Sequence, residues 1–150
     1  MIEFFVDCIF PSTTAQMKRY SGKTGHYFHS KEQKAAINTI AAILAPHRPE
    51  QPISGPVSVE IVITWPWLGR HSKKVREKLA VPHTSRPDLD NIVKQLIDEL
   101  VKWRFIDTDA CVWHLDARKW NGEKPGVYVR IDSYGGSIDH APKSNQTPRQ

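Results

Sequence analysis

The sequence predicts a single α/β domain in which a mixed β-sheet is packed by helices. Three observations predict it: runs of alternating apolar and polar residues, two stretches with apolar residues at three- and four-residue intervals, and the interleaving of the two kinds along 150 residues. A chain of that length holds one substantial core and not comfortably two. The expected domain is residues 1–134, with 135–150 as a tail.

From Ile2 to Phe10, the residues Ile2, Phe4, Val6, Cys8 and Phe10 share one side of a two-residue repeat, which reads as a first strand ended by Pro11. The stretch from there to His29, rich in Ser, Thr, Lys and Gly and carrying Arg19, reads as an exposed basic loop. Ser30 with Gln33 forms a capping-box pattern, and Ile37, Ile40, Ala41 and Leu44 give the helix after it an apolar stripe that stops before Pro46. Val57, Val59, Ile61, Ile63 and Trp65 then alternate with polar residues in a clear strand.

Between Pro66 and Arg86 the cations Arg70, Lys73, Lys74, Arg76 and Lys78 crowd a segment poor in apolar residues, expected to be a basic loop or a short exposed helix. The strongest helix follows Pro87, with Leu89, Ile92, Val93, Leu96, Ile97, Leu100 and Val101 on one face. Two further strands, about Cys111 to Trp120 and Gly126 to Ser133, flank the turn-like Asn121 to Pro125 and are expected to pair as a hairpin. The segment 135–150 is rich in Gly, Ser, Pro, Asn and Gln and lacks the apolar residues to order itself.

A net charge of +5 favours a polyanionic partner without requiring one. Cys8 and Cys111 lack a metal-ligand or disulfide spacing, and the seven histidines are scattered, so a zinc site is not expected. Glu3 interrupts the only apolar run at the N-terminus, and no run approaches the length of a membrane span, so a cytoplasmic protein with no membrane association is expected.

The chemistry concentrates in Arg86-Pro87-Asp88-Leu89-Asp90-Asn91-Ile92-Val93-Lys94 and in a second acidic group, Asp107-Thr108-Asp109, before a strand. Residues two apart on a helix point about 200° away from each other, so Asp88 and Asp90 converge only if the chain is extended there. Proline promotes that geometry in the residue before it and suits a helix approach, which places the helix start at about Asp90 with Asp88 in the lead-in. Asp90 and Lys94, four apart, share a helical face. Taken singly, each acid also reads as an N-cap and Asp90 with Lys94 as a solvated ion pair. Three carboxylates in one site need a cation to remain ionised together, and a hard divalent ion, magnesium or manganese, is the natural occupant. Lys94 would then stabilise charge on phosphorus or on the leaving oxygen.

These residues, with Asp109-Ala110-Cys111-Val112, Lys119 and Lys124 to Ile131, resemble the RusA family of Holliday junction resolvases. The likeness is concentrated in the second half of the chain. It implies a RusA-like fold, binding of magnesium or manganese by Asp88, Asp90 and Asp109, and catalytic assistance from Lys94. It also implies a homodimer that cuts four-way DNA junctions, and, since many members are phage-encoded, a host-cell cytoplasm. The family's paired aspartates and glutamine are absent: Thr108-Asp109-Ala110-Cys111-Val112 stands in their place, with Asp107 as the alternative third acid. Only Pro11-Ser12-Thr13-Thr14 remains of the family's basic-loop start. Arg70, Lys73, Lys74, Arg76, Arg86 and Lys119 are the expected DNA contacts, and Trp67, beside the basic segment, is the tryptophan best placed to meet an unpaired base. Two other readings stay open: a branched-DNA binder without catalysis, and a nuclease for flaps or forks.

Overall fold

The computed structural model describes residues 1–13 and 19–135. Thr14 and all but the first residue of the expected tail lie outside them. The strands are β1 (Ile2–Val6), β2 (Arg19–Ser21), β3 (His26–Phe28), β4 (Val57–Trp65), β5 (Ala80–Pro82), β6 (Val112–Gly122) and β7 (Gly126–Ser133). The helices are α1 (Lys31–Leu44), α2 (Lys73–Arg76) and α3 (Leu89–Lys102). No helix among the described residues is long and apolar enough to cross a membrane.

A five-stranded sheet in the order β1-β7-β4-β6-β5 forms the centre, and β2 pairs with β3 in a separate ribbon. Strand β4 alternates strictly between buried and half-buried residues. Its buried side, Val57, Val59, Ile61, Ile63 and Trp65, joins Val127, Val129 and Ile131 of β7 in the core. Both long helices pack on that face, through Ile40, Ile43 and Leu44 of α1 and Ile92, Leu96 and Leu100 of α3. Each such buried aliphatic side chain contributes about 1.5–3 kcal/mol relative to exposure. The opposite face carries Glu60, Asp116, Arg118, Arg130 and Asp132, linked in ion pairs.

The capping box at α1 forms as expected: Ser30 Oγ accepts from the Gln33 amide and Gln33 Oε1 accepts from the Ser30 amide. The expected hairpin does not form. Strand β4 lies between β6 and β7, parallel to β6 and antiparallel to β7. The crossover through α3 brings β6 up alongside β4 in the same direction, and β7 returns on the far side of β4. Stepping across one strand covers two spacings, about 10 Å, which three residues between Gly122 and Gly126 can span. A turn-like sequence of this length therefore fits both a hairpin and a step over a neighbour. The terminal glycines serve close approach, since a Cβ on Gly126 would run into the Phe5 ring and one on Gly122 would lie 2.8 Å from the Leu79 carbonyl oxygen.

Three smaller expectations also change. The first strand ends at Val6, although Phe10 remains in the core, its carbonyl accepting from Trp65 Nε1 at 2.7 Å. The stretch read as a basic loop before His29 contains the β2–β3 pair. The segment 66–86 contains the short exposed helix α2 but also β5, which pairs with Trp120–Gly122 of β6. Because β5 is only three residues long, its strand character comes from its partner, and no local periodicity announces it.

Candidate active site

Helix α3 begins one residue earlier than expected, at Leu89, with Asp88 as its N-cap in extended geometry. The Asp88 side chain makes no capping hydrogen bond. Its carboxylate and that of Asp90 are exposed and, among the described residues, have no hydrogen-bond or ion-pair partner. Both sit at the positive end of the helix dipole, which offsets part of their mutual repulsion.

The lead-in to Asp88 is clamped to the sheet. Lys119 Nζ, from β6, donates to the carbonyl oxygens of Ser85 and Pro87, both at 2.7 Å. The His83 amide donates to the Lys119 carbonyl at 3.0 Å. The His83 ring is buried at 8% exposure, its centroid 4.6 Å from that of Trp65, with Nδ1 2.7 Å from Asn121 Oδ1 and Nε2 3.2 Å from the Arg86 carbonyl oxygen. Asn121 is itself anchored by donating to the Pro66 carbonyl at 2.8 Å. The Arg86–Pro87 peptide bond is cis. His83, which lies in the segment expected to be a basic loop or a short exposed helix, is thus a buried strut. Lys119, expected at the DNA, spends its ammonium on two backbone carbonyls, a satisfied arrangement for a partly buried cation.

At the other end of α3, the chain turns through a Schellman motif. The Phe105 amide donates to Leu100 O at 2.9 Å and the Arg104 amide to Val101 O at 3.0 Å. Arg104 takes the left-handed position, φ 61°, where glycine is usual, and Phe105 drops into the core. The redirected chain leads to Thr108, which caps the 3₁₀ turn Asp109–Cys111 by accepting from the Ala110 amide at 3.3 Å. Thr108 Oγ1 lies 3.2 Å from Asp109 Oδ1 and donates to it.

Asp109 lines a groove of about 320 Å³ together with Lys94, Asp98, Trp113, His114 and Leu115. Of the two acids near the start of β6, Asp109 rather than Asp107 lines this groove. Lys94 does not pair with Asp90; it lies 3.8 Å from Asp98, with both side chains more than half exposed. The structure thus brings Lys94 and Asp109 together and keeps Asp88 and Asp90 at the helix start. Lys94 and Asp98 lie one and two turns beyond Asp90, about 6 and 12 Å along the axis. Among the described residues, no group of three or more His, Cys, Asp or Glu side chains is close enough together to hold a metal ion. The donor chemistry nonetheless fits a hard cation, since Asp88 and Asp90 present carboxylate oxygens that no protein group occupies.

The basic residues divide into struts and free cations. Arg76 donates to the carbonyls of His71 at 3.0 Å and Leu68 at 3.1 Å, bracing its own loop, and Arg70 donates to Ser85 Oγ at 3.0 Å, beside the lead-in. Lys73, Lys74 and Arg86 are exposed and, among the described residues, unpaired. Trp67 is half-buried and donates from Nε1 to Glu123 at 3.0 Å, whereas Trp113 stands 54% exposed in the groove. Sequence reasoning missed the roles of His83, Asn121 and Trp113. Only the nearness of His83 to the aspartates could have drawn attention to it.

A family model described as Endodeoxyribonuclease RusA matches residues 10–132. A protein named Crossover junction endodeoxyribonuclease rusA, from Lactococcus phage r1t, is 29% identical over 132 residues, covering 86% of this chain and 94% of that relative. Bacillus subtilis (strain 168) YqaN, an uncharacterized protein, is 36% identical over 97 residues, 61% of this chain and 68% of its own length. The family match spans the clamped lead-in, all of α3 and the Thr108–Asp109 turn, and the mixed sheet with its helices agrees with it: this chain belongs to the RusA family of endodeoxyribonucleases.

Proposed function

We propose that this protein is a structure-selective endodeoxyribonuclease that resolves four-way DNA junctions by paired phosphodiester hydrolysis, acting in recombination and repair in a bacterial or phage-infected cytoplasm. The observation that carries the reading is the pair of unoccupied carboxylates, Asp88 and Asp90, at a helix start held by a dedicated clamp. The name of the phage relative supports the choice of substrate.

Asp88, Asp90 and Asp109 would hold magnesium or manganese. Such an ion, when bound, supplies Lewis-acid polarisation of the phosphodiester and acidifies water. Lys94 stabilises negative charge developing on the phosphate or the leaving oxygen. Lys73, Lys74 and Arg86 neutralise phosphates, with Arg70 close behind, while Arg76 and Lys119 hold the backbone that presents them. A homodimer places two such sites on the two equivalent strands of a junction. Residues 1–134 form the nuclease domain in this reading, and 135–150 an accessory tail.

One observation favours a second reading. Among the described residues, the three acids do not gather closely enough to hold an ion together, as in a branched-DNA binder that has lost catalysis. A labelled synthetic four-way junction and a matched linear duplex, each incubated with magnesium, manganese or EDTA, separate the two. Paired symmetric nicks confined to the junction and requiring metal support the nuclease. Tight junction binding with no cutting under any metal leaves the binder.

A further inference from the structure

The groove beside Lys94 has an aromatic wall that hydrolysis does not require. Trp113 is 54% exposed, with Leu115 at 41% and Tyr134 at 42% alongside it. Tyr134 meets the Trp113 ring edge-on at 5.5 Å and 75°, and His114 lies against it at 5.6 Å. Trp65, Trp67 and Trp103 each donate the indole N–H to a protein acceptor. Trp113 is the tryptophan left exposed.

Its position is not that of a regular strand residue. The pairing of β4 with β6 runs from Val57↔Val112 directly to Ser58↔His114, so Trp113 is the extra residue of a β-bulge. A bulge breaks the alternation of a strand and redirects the extra side chain, which is why such irregularities gather beside active sites. Here it turns an indole toward the groove that also holds Lys94 and Asp109. Without the bulge, the strict two-residue repeat would carry the side chain elsewhere.

We propose that Trp113 is a stacking platform for a nucleobase that has left the helical stack at the branch point next to the strand being cut. The groove offers two different surfaces: Lys94 and Asp109 on one side, where the reacting phosphate belongs in the reading above, and the uncharged wall of Trp113, Leu115 and Tyr134 on the other. That wall has no cation for a second phosphate, whereas a base is neutral and presents a flat π-face that an indole accepts regardless of sequence. Continuous duplex keeps its bases stacked, but a branch point offers bases with an open face, so the platform adds affinity for branched DNA alone. This inference rests on the branched-DNA reading above and adds the means of discrimination.

The test measures junction and duplex affinity of the full chain by mobility shift in EDTA and in calcium, for wild type, Trp113→Phe and Trp113→Leu. Intact junctions are compared with junctions made abasic at each branch-point nucleotide in turn. Trp113→Leu is expected to lose about 5- to 100-fold in junction affinity and little for duplex, with Trp113→Phe largely rescuing it. One abasic position should weaken wild type by a similar factor and leave Trp113→Leu unaffected. Equal junction affinity for wild type and Trp113→Leu overturns the platform while leaving the nuclease intact. So does a loss that multiplies with every abasic position, or a change of sedimenting mass in Trp113→Leu, which assigns the indole to contact between copies. Absence of any junction preference in wild type overturns both this inference and the function on which it rests.

Discussion

The carboxylates at the start of α3 and the one that reaches its flank from the following turn sit in different mechanical settings. At the N-terminal end, Asp88 and Asp90 follow a lead-in bound to the sheet by Lys119 and by His83 with Asn121, hydrogen bonds that span 32 to 38 residues of sequence. On the flank of the helix, beside Lys94 and Asp98, Asp109 rides on a 3₁₀ turn whose side-chain hydrogen bonds join residues one or two apart. The first arrangement is part of the tertiary structure and opens only when the sheet edge does. In the second, long-range packing resumes only at Cys111, so the Asp109 side chain is held by local bonds that travel with their turn. Preorganisation is therefore concentrated in one half of the candidate site, and assembly of a three-carboxylate set depends on the other half.

Removing the clamp should have the largest effect on this contrast. Lys119→Met leaves two carbonyl oxygens without their donor, about 1–3 kcal/mol of lost stability if they stay dry. It should also reduce metal affinity or activity by about 10- to 100-fold, as loss of an outer-sphere partner does. Thermal denaturation and manganese titration of cleavage measure the two effects. Because Lys119 acts through the backbone, the loss should appear chiefly as a higher manganese requirement, and unchanged manganese dependence would reduce the clamp to a stability feature.

A smaller effect is expected at the free cations. Lys73→Gln with Lys74→Gln should leave the melting temperature unchanged and lower the salt dependence of DNA binding, by about one unit of slope for each phosphate that is no longer neutralised. Binding measured across a range of salt concentrations checks it. The smallest effect is expected for Asp98→Asn. That substitution breaks an exposed pair with Lys94 worth about 0–1 kcal/mol and should barely move the melting temperature. If cleavage rises in Asp98→Asn, Asp98 restrains Lys94; if it falls sharply, Asp98 belongs to the site.

What the sequence disclosed divides along the same line. Local signals were legible: the Ser30–Gln33 box, the alternation of β4, the apolar stripe of α3 and the extended lead-in at Asp88 all surfaced as expected. Features made by distant partners were not. Strand β5 is a strand because β6 is beside it, and β6 and β7 read as a hairpin because nothing local records β4 between them. His83 and Asn121 looked like loop and turn residues, since what makes them structural is each other, 38 positions apart. Trp113 was legible only as a strand aromatic, because the bulge that redirects it arises in the register with β4.

The central claim is that the fixed and the local halves act as one catalytic site, and junction cleavage by Asp90→Asn, Asp109→Asn and the double variant tests it most directly. Each single substitution is predicted to lower the cleavage rate by more than about 100-fold, beyond the usual loss for an outer-sphere partner, with the double variant little worse than either, as for residues that work as a unit. Junction cutting at the wild-type rate by Asp109→Asn would contradict the account, and would confine catalysis to the clamped start of α3.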